Sequence, residues 1–426
     1  MSGMFAFNLG NLHASVAAAF SPSLVYDLDA ATYSGLSYNF SGSNNLSVPN
    51  SAALNPGSAS DFTIEFWTYL NSTTNNASFW RGNNLGLDIF MNGSGKLATG
   101  QAQVSTSITD SVAMTTGAWV HVAVVRISSA LKLYKNGVLV GSAGDSNNYV
   151  TDTANYIGSN PGGPYRINGY ISNLRVVIGT GVYTAAFTPP TAALTAISGT
   201  QLLLVNPFVD TSTNAFTITN TGSVTESFIS PYTAKDATGT YAITTSSAGS
   251  ITWDSASGGT FAKSNSTGTD YIYGGPNYVT GQSYTVFMAY KLSATSAGRL
   301  LNTQSEASKD WLMGAYNGNP NTFYPNFTVN LPSTGADTVW HFGWATWDTT
   351  STTGNLYIAT NTAPASAAYT ATSGSGGGFN QLRLFSRAAG SEVQSGNIAF
   401  VKVYNGVLDL TTIQTLHATY KARFGY

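Results

Sequence analysis

Two stretches of this 426-residue chain, about 220 positions apart, carry the same ordered set of phrases. Phe62-Thr-Ile-Glu-Phe-Trp67 returns as Tyr284-Thr-Val-Phe-Met-Ala289, and Trp119-Val-His121-Val returns as Trp340-His341-Phe-Gly. Gly169-Tyr-Ile-Ser-Asn-Leu-Arg-Val176 returns as Gly396-Asn-Ile-Ala-Phe-Val-Lys-Val403, and Phe40 has a counterpart in Phe261. Solenoid repeats run to roughly 20–50 residues, so a unit this long is a duplicated domain. Each copy is long enough to bury a core of its own.

The periodic signal inside a copy is alternation. Phe62, Ile64 and Phe66 fall on one face of a strand and Thr63, Glu65 and Trp67 on the other. Trp119-Val-His-Val-Ala-Val-Val-Arg126 is denser in β-branched residues, as a central strand covered on both faces would be. Leu131-Lys-Leu-Tyr-Lys135 runs into Asn136-Gly137, a two-residue hairpin turn because both positions need positive φ. The run from Asp210 to Gly222 reads as one more strand closing the first copy. Many short strands separated by Gly, Asn and Pro predict an all-β sandwich. Helical pattern is confined to a short stretch near the C-terminus, where Asp409 caps the start and Ile413, Leu416 and Tyr420 share a face.

Composition closes several routes. Only 8% of residues are charged and the net charge is −2, without a Lys/Arg cluster, so the phosphate-neutralising footprint of nucleic-acid binding is missing. No apolar run approaches the ~20 residues that span a bilayer, and an aromatic content of 12% is too high for a disordered chain. With no cysteine, disulfides and thiolate metal sites are excluded. The first basic residue is Arg81, so Met1–Phe20 has apolar residues but no positive n-region, which argues against a secretory leader. That segment reads as an arm that docks on a neighbouring subunit or on its own domain.

Taken together, Phe62–Trp67, Trp119–Arg126, Leu133–Gly137 and Gly169–Val176 resemble laminin-G-like modules of the concanavalin A-like jelly-roll superfamily. Val182-Tyr-Thr-Ala-Ala-Phe-Thr-Pro-Pro190, with Thr200–Leu204, Phe216–Gly222 and the C-terminal Ile413–Tyr426, is similar to the version in virion structural proteins of tailed bacteriophages of the cyanophage type. The resemblance implies two concanavalin A-like (laminin-G-like) jelly-roll β-sandwiches with an N-terminal arm and a short C-terminal helix. The expected division is an arm over 1–35, a first jelly roll over 36–232 and a second over 233–426. One phrase opposes plain tandem order. Leu24–Tyr33 looks like the opening of the module whose ending lies at the C-terminus, which would make the first copy an insertion into the second; the echo of Ser21-Pro22, Asp29-Ala30 and Thr32-Tyr33 in Ser230-Pro231, Asp236-Ala237 and Thr240-Tyr241 favours tandem order.

The superfamily includes glucanases, whose retaining chemistry needs two carboxyls ~5 Å apart. The four glutamates, Glu65, Glu226, Glu306 and Glu392, are far apart in sequence and form no such motif. Asp27 and Asp29 alternate on a strand-like stretch and read as an edge pair. The four histidines are scattered, and His121 and His341 sit in equivalent strands beside a tryptophan, which says fold. No catalytic residue is therefore expected. The superfamily's calcium sites would find oxygen ligands in Asp145 and Asp152, though no dense Asp-x-Asp-x-Asp loop is present.

Sugar binding relies on exposed rings beside amides or guanidinium groups. The candidates are Trp80, Arg81 and Asn83, Tyr165 and Arg166, and in the second copy Trp311 and Tyr316, all placed where loops would leave strands. The sequence thus predicts a non-enzymatic phage structural protein, a capsid decoration or tail fibre component on the virion exterior. It would contact other virion proteins through residues 1–20, bind host glycans, and work as a homo-oligomer or within a larger assembly. A secreted carbohydrate-binding lectin and a glycan-degrading tailspike are the alternatives.

Overall fold

A computed structural model describes residues 22–30, 33, 36–73, 76–160, 165–205, 208–232, 234–245, 251–254, 259–263, 271–278, 282–293, 298–304, 311–316, 319–325, 338–372, 378–387 and 392–426. They form four antiparallel sheets stacked as two sandwiches, with one α-helix, Leu410–Tyr420, among the described residues. In the first sandwich one sheet runs in the order Val138–Gly144, Ala130–Lys135, Trp119–Ile127, Phe62–Ser72, Asn168–Ile178, Ser37–Ser41, Thr225–Ser227, with Thr200–Leu204 also on Asn168–Ile178. Its partner sheet runs Thr219–Thr221, Asn45–Pro49, Val150–Ile157, Ser78–Leu85, Leu87–Met91, Lys96–Gln101, Ser105–Ala113. Between them lies a core that includes Phe40, Phe62, Ile64, Phe66, Phe79, Trp80, Val122 and Val124. The alternation read from Phe62 onward is the alternation that builds this core.

The sequence repeat is a repeat in space. Phe62–Ser72 lies between Trp119–Ile127 and Asn168–Ile178, just as Tyr284–Leu292 lies between His341–Asp348 and Gly396–Tyr404. Phe40 pairs with Gly169 and Phe261 with Ile398, so the two phenylalanines occupy matching strands. Gly169 and Gly396 have φ of +150° and +156°, and a Cβ on either would stand 2.1 Å from the Tyr69 carbonyl oxygen or 2.5 Å from that of Lys291. Only glycine fits so close a strand crossing. The Asn136-Gly137 turn has both φ values positive and joins Lys135 to Val138, as the hairpin chemistry demands.

Leu24–Asp29 is not part of an arm. It pairs with Gly396–Tyr404, placing Tyr26 against Val403 and Leu28 against Val401. Tyr26, Leu28, Ala30, Tyr33 and Leu36 are all buried in the core of the second sandwich, and Trp253 Nε1 donates to the Ala30 carbonyl at 2.8 Å. The strands of the first sandwich, Ser37–Ser41 through Thr225–Ser227, are therefore spliced between the first strand of the second sandwich and the rest of it. Apolar alternation at Tyr26 and Leu28 demands a sheet, and Phe400–Tyr404, beyond the reach of the Thr260–Lys263 pairing on that side, takes it. Residues 1–20, expected to contact other virion proteins, lie outside the described residues.

The outer faces of the equivalent sheets have diverged. In the first sandwich Glu65, fully buried, receives Arg175 Nη2 at 2.5 Å and Nε at 3.0 Å, and the Tyr183 hydroxyl at 2.7 Å, with His121 Nε2 at 3.3 Å. Burial alone would raise this carboxyl, but His121, Arg175 and Tyr183 outweigh it and hold Glu65 below its ordinary range. In the second sandwich Phe287 takes the place of Glu65 and stacks on Trp344 at 4.5 Å. The C-terminal helix covers it through Tyr420, and Asp409 caps that helix by accepting from Thr412 N at 2.7 Å. The Asp210–Gly222 run is mostly not a strand. Only Thr219–Thr221 pairs in the sheet, because the Asp210 carboxylate accepts from Leu203 N, Ser212 N and Phe216 N and folds the preceding residues into a turn.

Candidate functional site

The strand Ser78–Leu85 carries a β-bulge between Ser78 and Trp80 where it meets Leu87–Met91. The extra residue lets two consecutive aromatics, Phe79 and Trp80, face the core, and it turns Arg81 to the outer face opposite Asp88. Trp80 is 1% exposed, so it is a core ring and no stacking platform. The expected loop around Trp80–Asn83 is strand, since packing Phe79 against Phe66 and pairing Trp80 with Ile89 bury more apolar area than a turn could.

Arg81 and Asp88 form a buried ion pair on that face. Burial pushes the Asp88 carboxyl above its usual range, against the pull of the Arg81 charge. The pair forms the floor of a groove of about 400 Å³, walled by Phe90, Tyr165, Asn76, Asn160 and the edge residues Gln103–Thr106. Tyr165 is brought there because its carbonyl accepts from Asn160 N at 2.8 Å. Arg81 Nε and Asp88 Oδ1 have no hydrogen-bond partner among the described residues, although both side chains are more than nine-tenths buried. Desolvated polar atoms are costly to leave unmatched, and the Ser78 hydroxyl next to Asp88 helps hold its charge against burial. Asp88 is the only carboxylate among the described residues lining the groove, so no pair for glycosidic acid–base work faces it.

Of the residues singled out from sequence, the groove gathers Arg81 and Tyr165. Asn83 lies one pleat along, with Nδ2 donating to Asp152 Oδ1 at 3.1 Å and Thr153 Oγ1 at 2.9 Å. Arg166 follows Tyr165 and bridges to Ser159 through its backbone. Trp311 is fully buried in the second core and donates to the Tyr284 hydroxyl at 2.7 Å, so it is not a contact for ligand. The side chain of Tyr316 lies outside the described residues. Sequence reasoning missed Asn76, Asp88, Phe90 and Gln103, whose convergence depends on strand register; the alternation of Asp88 with Leu87 and Ile89 was the one available signal.

The two calcium candidates are not brought together. Asp145 is buried, 3.4 Å from Arg126, and accepts from Tyr149 Oη at 3.1 Å. Asp152 is at the surface and is engaged by Asn83, Asn84 and Thr153. No group of three His, Cys, Asp or Glu that could hold a metal occurs among the described residues. Asp27 and Asp29 are likewise committed, to Lys402 Nζ at 2.5 Å and to Arg423 Nη1 at 2.9 Å.

Residues 40–180 match the model of the concanavalin A-like lectin/glucanases superfamily known as laminin G type 3. The chain has the concanavalin A/laminin-G-like fold. Among solved structures it is similar to a Bacteroides ovatus protein assigned to carbohydrate binding by description alone, at 17% identity over 45% of this chain and a TM-score of 0.38, spanning 59% of that protein. Mouse laminin α1 domains LG4-5 match at 12% identity over 93% of this chain and 96% of theirs, with a TM-score of 0.28. The CBM40 module of a Ruminococcus gnavus sialidase, solved with α2,3-sialyllactose, matches at 14% identity over 32% of this chain and 82% of its own, with a TM-score of 0.25. Curated proteins give no match.

Proposed function

We propose that this chain is a non-catalytic carbohydrate-binding structural protein of a tailed phage, displayed on the virion exterior, which holds host-surface glycans in the groove of its first sandwich. The observation that carries the reading is a groove of about 400 Å³ whose lining joins the buried Arg81–Asp88 pair to the rings of Phe90 and Tyr165 and the amides of Asn76, Gln103 and Asn160. A pyranose suits such a groove, with adjacent hydroxyls that donate to and accept from amides and a C–H face that packs on aromatic rings. The virion setting is supported by the phage-like stretches Val182–Pro190 and Ile413–Tyr426.

Self-association is part of this reading. The strands Ser105–Ala113 and Val138–Gly144 end the two sheets of the first sandwich, carry neither lysine nor proline, and expose Val112 and Val138. Edge strands without those guards pair readily with another strand, and a two-fold antiparallel contact with a second copy satisfies both edges at once.

Binding of the purified chain to a glycan array built from host envelope polysaccharide tests the proposal. Wild type should retain a defined saccharide, and Tyr165→Ala, a change at a half-exposed ring, should weaken it tenfold or more with unchanged thermal stability. Equal retention by the variant, or no retention by wild type, would sink the groove as the site. Antibody labelling of intact particles tests the exterior location.

A further inference from the structure

A larger concavity, about 650 Å³, opens at one end of the second sandwich and contains none of the residues of the first groove. Its walls are the half-exposed ring of Tyr241, Pro276 and the largely buried Tyr278. Its polar rim is held rigid by bonds inside the protein. Asp348 Oδ1 accepts from Thr350 N at 2.9 Å and Oδ2 accepts from Ser351 Oγ at 2.7 Å. These bonds, the Ser351 hydroxyl first, hold its carboxyl below the usual range. Ser283 Oγ is fixed by Thr349 N at 3.1 Å. Asn405 Oδ1 accepts from both Ser23 N at 2.7 Å and Ser23 Oγ at 3.0 Å, which settles its amide orientation and leaves the Nδ2 protons without an acceptor among the described residues.

Fixed donors and acceptors around a ring-lined hollow lose little entropy on binding, which is the condition for recognising a small, polar, poorly hydrophobic ligand. We infer that this concavity is a second saccharide site, taking one or two pyranose units, with Tyr241 against the sugar's C–H face and Asp348, Asn405 and Asn277 on its hydroxyls. The site exists only because the chain is nested. Pro22 and Val25 precede the first sandwich, Tyr241 follows it, and Asn405 comes from the end of the last strand. A second sandwich cut away from residues 22–30 would lack one wall. The chain would then be bivalent, with two unlike sites, and bivalence raises avidity for a repeating polysaccharide without any new contact.

This inference stands independently of the first groove, and the experiment separates the two. Full-length chain carrying Tyr165→Ala is titrated with glucose, galactose, mannose, N-acetylglucosamine and their disaccharides, followed by saturation-transfer-difference NMR. A sugar should still bind, and adding Tyr241→Ala or Asn277→Ala should each weaken it about tenfold, with melting temperature unchanged for the exposed Asn277. Loss of all saccharide binding with Tyr165→Ala alone overturns the second site. So does sugar binding that ignores both second-site changes, or binding of an oligoproline peptide there in place of sugar.

Discussion

Arg423 Nη1 reaches both carboxylate oxygens of Asp29, at 2.9 and 3.1 Å, across 394 positions of sequence. The contact ties the strand that precedes the first sandwich to the last turn of the chain, and Lys402 reinforces it from the strand between, 3.8 Å from the same carboxylate. Closing the second sandwich therefore requires both ends of the chain. Arg423→Ala should cost roughly 1.5–3 kcal/mol, the range for a hydrogen bond to a charged group. Because the sandwiches have separate cores, calorimetry should show two transitions, with only the second sandwich's lowered. A chain starting at Ser37 should keep the first transition and lose the second; two intact transitions would contradict the nested arrangement.

Glu65 stabilises the first sandwich by matching Arg175 beneath the 179–198 crossing segment. Glu65→Gln leaves a buried guanidinium without its counter-charge, a change worth about 3–5 kcal/mol. The sign with pH is fixed by the depressed folded value. The contribution is complete above the ordinary glutamate value of 4.5 and disappears as pH falls through the lower folded value. Denaturant titrations of wild type and variant should therefore converge in acid and diverge above that pH.

Glu226 behaves in the opposite sense. It sits in a cleft at the seam between the sandwiches with Phe208, Trp253 and Asp254. Burial pushes its carboxyl up, and the Asp254 charge adds to that, against backbone hydrogen bonds that lower it. A raised folded value means the folded state holds the proton more tightly, so stability contributed by this group falls as pH rises through that value. Glu226→Gln should raise the melting temperature at pH 7 and make little difference near pH 4.5. An equal gain at both would show that charge is not the cause.

Gly169→Ala and Gly396→Ala put a methyl against backbone oxygen at 2.1 and 2.5 Å in a positive-φ conformation. Neither carbonyl can retreat without breaking its strand pairing, so each change should cost its own sandwich roughly 2–3 kcal/mol. The readout is which of the two calorimetric transitions moves.

Val112→Lys with Val138→Lys places charge on both open edges of the first sandwich. If copies pair there, light scattering should show the wild-type oligomer reduced to monomer while the fold survives. An unchanged mass would move the self-association interface elsewhere.

The fold class was legible because strand formation is a local matter of alternation and turn chemistry. Phe62, Ile64 and Phe66 announce an inward face, Asn136-Gly137 announces a hairpin, and Asp409 announces a helix start. The duplication was legible for the same reason: equal cores need equal patterns. The candidate groove was only half legible. Arg81 and Tyr165 stood out by residue type, but Trp80 and Trp311 did too, and both proved to be core, since a tryptophan's sequence surroundings do not say which side of a sheet it faces after a bulge.

What the sequence determined by itself is thus two β-sandwich patterns, a low-charge surface and a short terminal helix, each set by the periodicity and chemistry of neighbouring residues. What only the tertiary structure decided is the pairing of segments far apart in the chain. It alone shows Leu24–Asp29 completing the sheet that ends at Tyr404, Asp88 meeting Arg81 at the groove floor, and residues on both sides of the first sandwich enclosing one concavity. Register and chain crossing follow from which stretches of strand remain unpaired once the cores have closed, and that is a property of the packed whole.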